Sequence, residues 1–180
     1  EKRKNCCVSR SFGKRIETLE SMREAVSTYI TRAAEKIRNE NLVANNINLY
    51  IRTSPFDKNS KTYYANSISL PLDFPTNNTI DLNKKALNGL NKIFKKGYLY
   101  QKAGVVLSGL EIENTDLNLF VENDEKNKFL MNALDLINNK HGKNSLRIAS
   151  EGIKKEWLTK RSKCSSNFTT NLKDLLKVKC

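Results

Sequence analysis

"NNINLYIRTS" occupies residues 45–54, and its alternation decides the fold. Ile47, Leu49 and Ile51 point one way, Asn48, Tyr50 and Arg52 the other. That period of two is the mark of a strand with one face buried and one face open. A half-buried strand needs neighbours. "TYYANSISLPL" (62–72) supplies one: Tyr64, Asn66, Ile68, Leu70 and Leu72 share one side, Ala65, Ser67 and Ser69 the other, with Pro71 marking an end or an edge.

Working outward, "CCVSRSFG" (6–13) reads as a short strand closed by Gly13, and "LYQKAGVVLSGL" (99–110) as a last strand. Between them lie two amphipathic segments. Leu19, Met22, Val26, Tyr29, Ile30, Ala33 and Ile37 recur at helical spacing, with Thr18 or Ser21 as the N-cap. "DLNKKALNGLNKIFKKG" (81–97) predicts a second helix, Asp81 capping its start and Gly97 ending it. The order is β-α-β-β-α-β, an α+β arrangement in which two helices cover one face of a four-stranded antiparallel sheet.

The other sheet face is left open. It presents Ser9 or Arg10, then Ser11, Asn48, Tyr50, Arg52, Ser67, Ser69, Lys102 and Gly104, a set of small, polar and basic residues. Small side chains let backbone N–H groups approach a phosphate, and Arg and Lys supply charge. An ordinary solvated sheet face has the same composition. The formal charge of +13 favours a polyanionic partner.

Both parts of the chain are basic. Residues 1–114 carry 19 Lys and Arg against 11 Asp and Glu, and residues 115–180 carry 13 against 8. Between them "TDLNLFVENDE" (115–125) sets Leu117, Leu119 and Phe120 among acidic and amide residues, which read as solvated linker. A third helix follows, with Phe129, Leu130, Ala133, Leu134 and Ile137 on one side, stopped by "NNKHG". "SLRIAS" (145–150) reads as a short strand, and the remainder is a basic, Ser/Thr-rich tail anchored by Trp157, Leu158 and Phe168. The expected division is a domain over 1–112, a linker over 113–125, and a mostly helical or irregular extension over 126–180.

Several chemistries are missing from the sequence. It has no phosphate-cradling G-x-x-x-x-G-K-[ST] loop, no G-x-G-x-x-G, and no carboxylate pair placed for metal-assisted phosphoryl transfer. His141, the single histidine, sits in a helix-stop context. Cys6, Cys7, Cys164 and Cys180 have no zinc-ligand spacing and read as reduced thiols of a cytoplasmic protein. No apolar run is long enough for a membrane span. A start at Glu1 rather than Met suggests a fragment of something longer, and the chain is expected not to be a catalyst by itself.

Three segments together, "VSRSFG" before a helix, "YIRTSPF" before a second strand, and "YQKAGVVLSGL" before a linker, resemble the UmuC family of bacterial Y-family translesion DNA polymerases. The match is to the little-finger domain, and residues from Leu130 onward resemble the UmuC-type C-terminal extension, with "SSNFTT" where Ser-Pro-x-Tyr-Thr-Thr is usual. The resemblance implies that the catalytic palm and its Mg2+ lie outside this chain, and that no cofactor belongs to this part. It implies that the open face holds primer–template DNA through Ser9, Arg10, Ser11, Arg52, Thr53, Ser54, Ser67, Ser69, Lys102, Ala103 and Gly104. It further implies sliding-clamp binding by Asp116, Leu117, Leu119 and Phe120, which resemble a Gln-Leu-x-Leu-Phe motif with Asp in place of Gln. The UmuD′ dimer and a RecA filament are the other implied partners.

Alternatives stand beside these. Leu117, Leu119 and Phe120 could instead pack on the domain or the third helix. The chain could be a protein-interaction module with incidental DNA binding. An RNA-recognition domain shares the element order, but "YYANSISL" lacks the aromatic motif such a domain needs on its third strand.

Overall fold

The computed structural model describes residues 3–56, 63–113 and 124–159, with residues 165, 166, 168, 169 and 175 in the tail. Five strands and three helices are present among them: β1 (Asn5–Ile16), α1 (Leu19–Arg38), β2 (Leu42–Thr53), β3 (Ala65–Thr76), α2 (Thr79–Ile93), β4 (Tyr100–Ser108), β5 (Glu111–Ile112) and α3 (Asp124–His141). The antiparallel sheet runs β1-β4-β2-β3, and the two-residue β5 pairs with the start of β2. The β-α-β-β-α-β reading is the observed order.

β2 is central: it alternates apolar and polar residues over 47–52 and is long enough to pair on both sides. Ile47, Leu49 and Ile51 are fully buried, and they meet Leu107, Val105 and Ala103 of β4 and Leu70, Ile68 and Asn66 of β3. On the other flank of β4, Cys6, Val8 and Phe12 of β1 complete the helix-side layer. α1 lays Met22, Val26, Tyr29, Ile30, Ala33 and Ile37 on that layer, and α2 adds Leu82, Ala86, Leu90 and Ile93.

Local chemistry sets the helix ends. Of the two candidate caps for α1, Thr18 takes the role, its Oγ1 accepting from the Ser21 N–H at 3.3 Å. α2 begins earlier than the sequence suggests: Asn78, not Asp81, is the cap, its Oδ1 accepting from the Ile80 N–H at 2.9 Å. Asp81 falls in the first turn, where a carboxylate favours the helix dipole without capping. The helix also stops at Ile93, and Gly97 supplies a left-handed residue in the turn beyond it.

The extension departs most from expectation. "SLRIAS" forms no strand; it is irregular and leads into a 3-10 turn at Ala149–Glu151. α3 buries Met131 and Leu134, while Phe129, Leu130, Leu136 and Ile137 are exposed. The physical reason is an ion pair. Arg38 at the end of α1 donates from Nε and Nη2 to both carboxylate oxygens of Asp135, at 2.7 and 2.9 Å. Its Nη1 reaches the Asn77 carbonyl at 2.8 Å and Thr79 Oγ1 at 2.7 Å. This fork turns the Asp135 side of α3 inward, whatever its largest apolar stripe would prefer.

Beyond the 3-10 turn, Trp157 enters the core. Its ring meets Phe12 and Tyr29 edge-on, both centroids at 5.9 Å. The buried Lys155 ammonium joins Glu151 at 3.2 Å to Thr28 Oγ1 at 2.9 Å. Gly13 does not close β1. The Trp157 carbonyl accepts its N–H at 2.9 Å, and a β-carbon there would stand 2.7 Å from the Leu158 carbonyl oxygen and the Thr159 Cα. Glycine is needed at that point because the extension's backbone crosses the strand. Of the three expected tail anchors, Trp157 is buried, whereas Leu158 and Phe168 are about two fifths exposed, 38% and 43%.

Candidate nucleic-acid interface

Strand register places the outward-facing residues in four rows across β1, β4, β2 and β3. They read Ser11–Lys102–Arg52–Ala65, Ser9–Gly104–Tyr50–Ser67, Cys7–Val106–Asn48–Ser69 and Asn5–Ser108–Asn46–Pro71. No helix covers this face among the described residues, and none of its residues is acidic.

The face has a cationic end and an amide end. At the amide end, Asn46 Nδ2 donates to Ser69 Oγ at 2.9 Å, and Asn48 Nδ2 to Ser108 Oγ at 3.0 Å. These bonds hold a flat polar surface in place. At the other end Lys102 and Arg52 are direct cross-strand partners. Like charges placed opposite one another destabilise a sheet. Neither side chain has an ion pair or hydrogen bond among the described residues. An anion lying between them would relieve that repulsion.

Between the two ends the Tyr50 ring lies across Gly104. The glycine removes the side chain that would lift the ring, so the middle row stays low.

The expected contact residues divide by strand phase. Ser9, Ser11, Arg52, Ser67, Ser69, Lys102 and Gly104 lie on the open face. Arg10 and Ala103 pair with each other one residue out of phase, on the helix side, where Ala103 is fully buried. Thr53 is buried too: its Oγ1 accepts from the Tyr64 N–H at 2.9 Å and donates to the Tyr64 carbonyl at 3.3 Å. Ser54 Oγ is occupied by the Phe56 N–H at 3.3 Å. Asn46, Ser108 and Cys7 belong to the face and were not expected, although continuing the same alternation by one or two residues reaches them. Asp116, Leu117, Leu119 and Phe120 lie outside the described residues.

The fold is shared with a Y-family DNA polymerase chimera of Dbh and Dpo4, at a TM-score of 0.50 and 15% identity over 63% of this chain and 30% of that one. Residues 3–119 match the impB/mucB/samB family C-terminal domain, and residues 128–178 match a domain of unknown function, DUF4113. The chain belongs to the impB/mucB/samB family, of which it carries the C-terminal, little-finger domain and the extension that follows. It is 41% identical to the protein UmuC of Salmonella typhimurium over 95% of this chain, and 39% identical to the protein SamB of the same organism over 93%. It spans about two fifths of each, 41% and 40% of their lengths.

Proposed function

We propose that this chain is the DNA-gripping and tethering part of a cytoplasmic, error-prone translesion polymerase acting in the SOS response to DNA damage. The observation that carries the reading is the opposed Lys102 and Arg52, unpaired among the described residues, on a sheet face whose four rows carry no acidic residue. Such a face suits a duplex backbone: charge and small hydroxyl groups contact phosphates, which position a duplex without reading its sequence. Catalytic carboxylates and their Mg2+ belong, in this reading, to the remaining length of the longer relatives.

The tether is argued from sequence. Leu117, Leu119 and Phe120 would enter a preformed apolar groove on the sliding clamp as an extended peptide, with Asp116 in the place of an amide. A second reading, recruitment of UmuD′- or RecA-type partners, is favoured by the exposed apolar stripe of α3, where Phe129 is 74% and Leu136 68% exposed.

Fluorescence anisotropy with a primer–template duplex tests the first reading. Neutralising roughly four to six phosphates gives a log–log salt slope of about −4 to −5. Binding that ignores salt, or none at low salt, would count against the open face. Replacing Leu119 and Phe120 by alanine should abolish capture by the clamp and leave duplex binding intact; clamp capture that survives the change removes the motif from the reading.

A further inference from the structure

On the helix side of β1 a cleft of about 410 Å3 is lined by Arg10, Ser11, Tyr29, Arg32, Trp157 and the backbone that follows it. Among the described residues, every side-chain polar group in it can donate a hydrogen bond and no carboxylate lines it. Tyr29 and Trp157 are almost completely buried, yet the Tyr29 hydroxyl and the Trp157 indole N–H have no hydrogen-bond partner among the described residues. Arg10 is exposed and Arg32 half-buried, and neither forms an ion pair or hydrogen bond among those residues. Burial pushes the Tyr29 hydroxyl up to about 12, and the Arg32 and Arg10 charges pull against that shift. Both cations are therefore within electrostatic reach of a hydroxyl that stays a neutral donor at pH 7. The two arginines also line the neighbouring hollow, which carries Glu35, Asp135 and Glu151; Asp135 is paired with Arg38 and Glu151 with Lys155.

We infer that this cleft holds a phosphate group, gripped by Arg10 of β1 and Arg32 of α1 above the Tyr29 hydroxyl and the Trp157 indole. Two guanidinium groups reaching in from different elements suit an oxyanion with acceptors in several directions. The phosphate has two chemical sources, a nucleic-acid backbone or the free ion. Ser11 favours the backbone. It stands both on the open face, in the Lys102–Arg52 row, and in the lining of the cleft. A strand lying on that row turns round the rim of β1 at Ser11, beside the Gly13 crossing, and sets a further phosphate in the cleft. This path rests on the nucleic-acid reading above; the cleft's affinity for phosphate does not.

Trp157 is the single tryptophan, so its emission reports the cleft directly. The 180-residue chain is titrated with a single-stranded oligothymidylate and, separately, with inorganic phosphate. Both change the emission, and the Arg10→Ala, Arg32→Ala double variant weakens both responses at least about tenfold. Tyr29→Phe, which keeps the ring, weakens them less. Lys102→Ala with Arg52→Ala weakens the oligonucleotide response alone. An unchanged emission in the parent chain, or a response that survives loss of both arginines with the thermal melt unaltered, overturns the assignment. A polyglutamate peptide that elicits the response where phosphate does not also overturns it, and makes the cleft an acidic-peptide site. A phosphate response that needs both arginines, with no oligonucleotide binding at all, upholds the cleft and refutes the DNA reading.

Discussion

Gly104 lies directly beneath the ring of Tyr50, so close that a β-carbon on it would stand 2.5 Å from Cε1, Cζ and Oη. The tyrosine is half-buried and can swing outward, which sets what a substitution would do. Gly104→Ala should lift the ring from the sheet and raise a ridge through the middle of the open face. Stability should change by less than about 1 kcal/mol, as for other surface replacements with room to relax. Duplex affinity, measured by anisotropy, should fall several-fold. Unchanged affinity would show that DNA does not approach this row.

Asp135 stands opposite a guanidinium whose side chain is only 7% exposed, while its own is 16% exposed. Asp135→Ala leaves that charge with two neutral acceptors, the Asn77 carbonyl and the Thr79 hydroxyl. Breaking a buried pair from one side typically costs several kcal/mol, and the remaining acceptors bring the expected loss to about 2–4 kcal/mol. Replacing both partners, Arg38→Met with Asp135→Leu, should cost much less than the single change. Urea midpoints of the parent and the two variants give the answer. A single variant as stable as the parent would mean that α3 is not held by this pair.

Trp157 belongs to the extension by sequence and to the core by contact. Trp157→Ala should destabilise the chain by about 3–5 kcal/mol, as expected for removing a large buried aromatic. The loss should be felt across β1 and α1, where Phe12 and Tyr29 lose a neighbour. Hydrogen exchange resolves the effect by position. Destabilisation confined to residues after 148 would show that the extension adds nothing to the sheet and helices.

The sheet was legible because its signal is local. Over residues 47–52 of β2 large aliphatics alternate with polar or aromatic residues, the period of a half-buried strand. The choice between Ser9 and Arg10 was also decidable, since Val8 and Phe12 fix the phase of β1 and put Arg10 on their side. The α3 surface was not decidable from periodicity. Its burial is set by Arg38, 97 residues away in sequence, and an ion pair leaves no period to read. Gly13 misled for a related reason. A glycine that ends a strand and one that lets another segment pass look identical until the crossing segment is seen. Thr53 and Ser54 were implied as contacts by the resemblance alone, as the neighbours of Arg52; here their oxygens are taken up by the Tyr64 and Phe56 backbone.

The crossing at Gly13 has a consequence for the company this protein keeps. β1 lies at the rim of the sheet, where spare N–H and C=O groups invite a foreign strand. Trp157 occupies the Gly13 N–H with its own carbonyl, and the backbone behind it sits where an incoming chain would dock. At this end of β1 the extension thus serves as a selvedge, finishing a stretch of border that would otherwise fray into contacts with strangers.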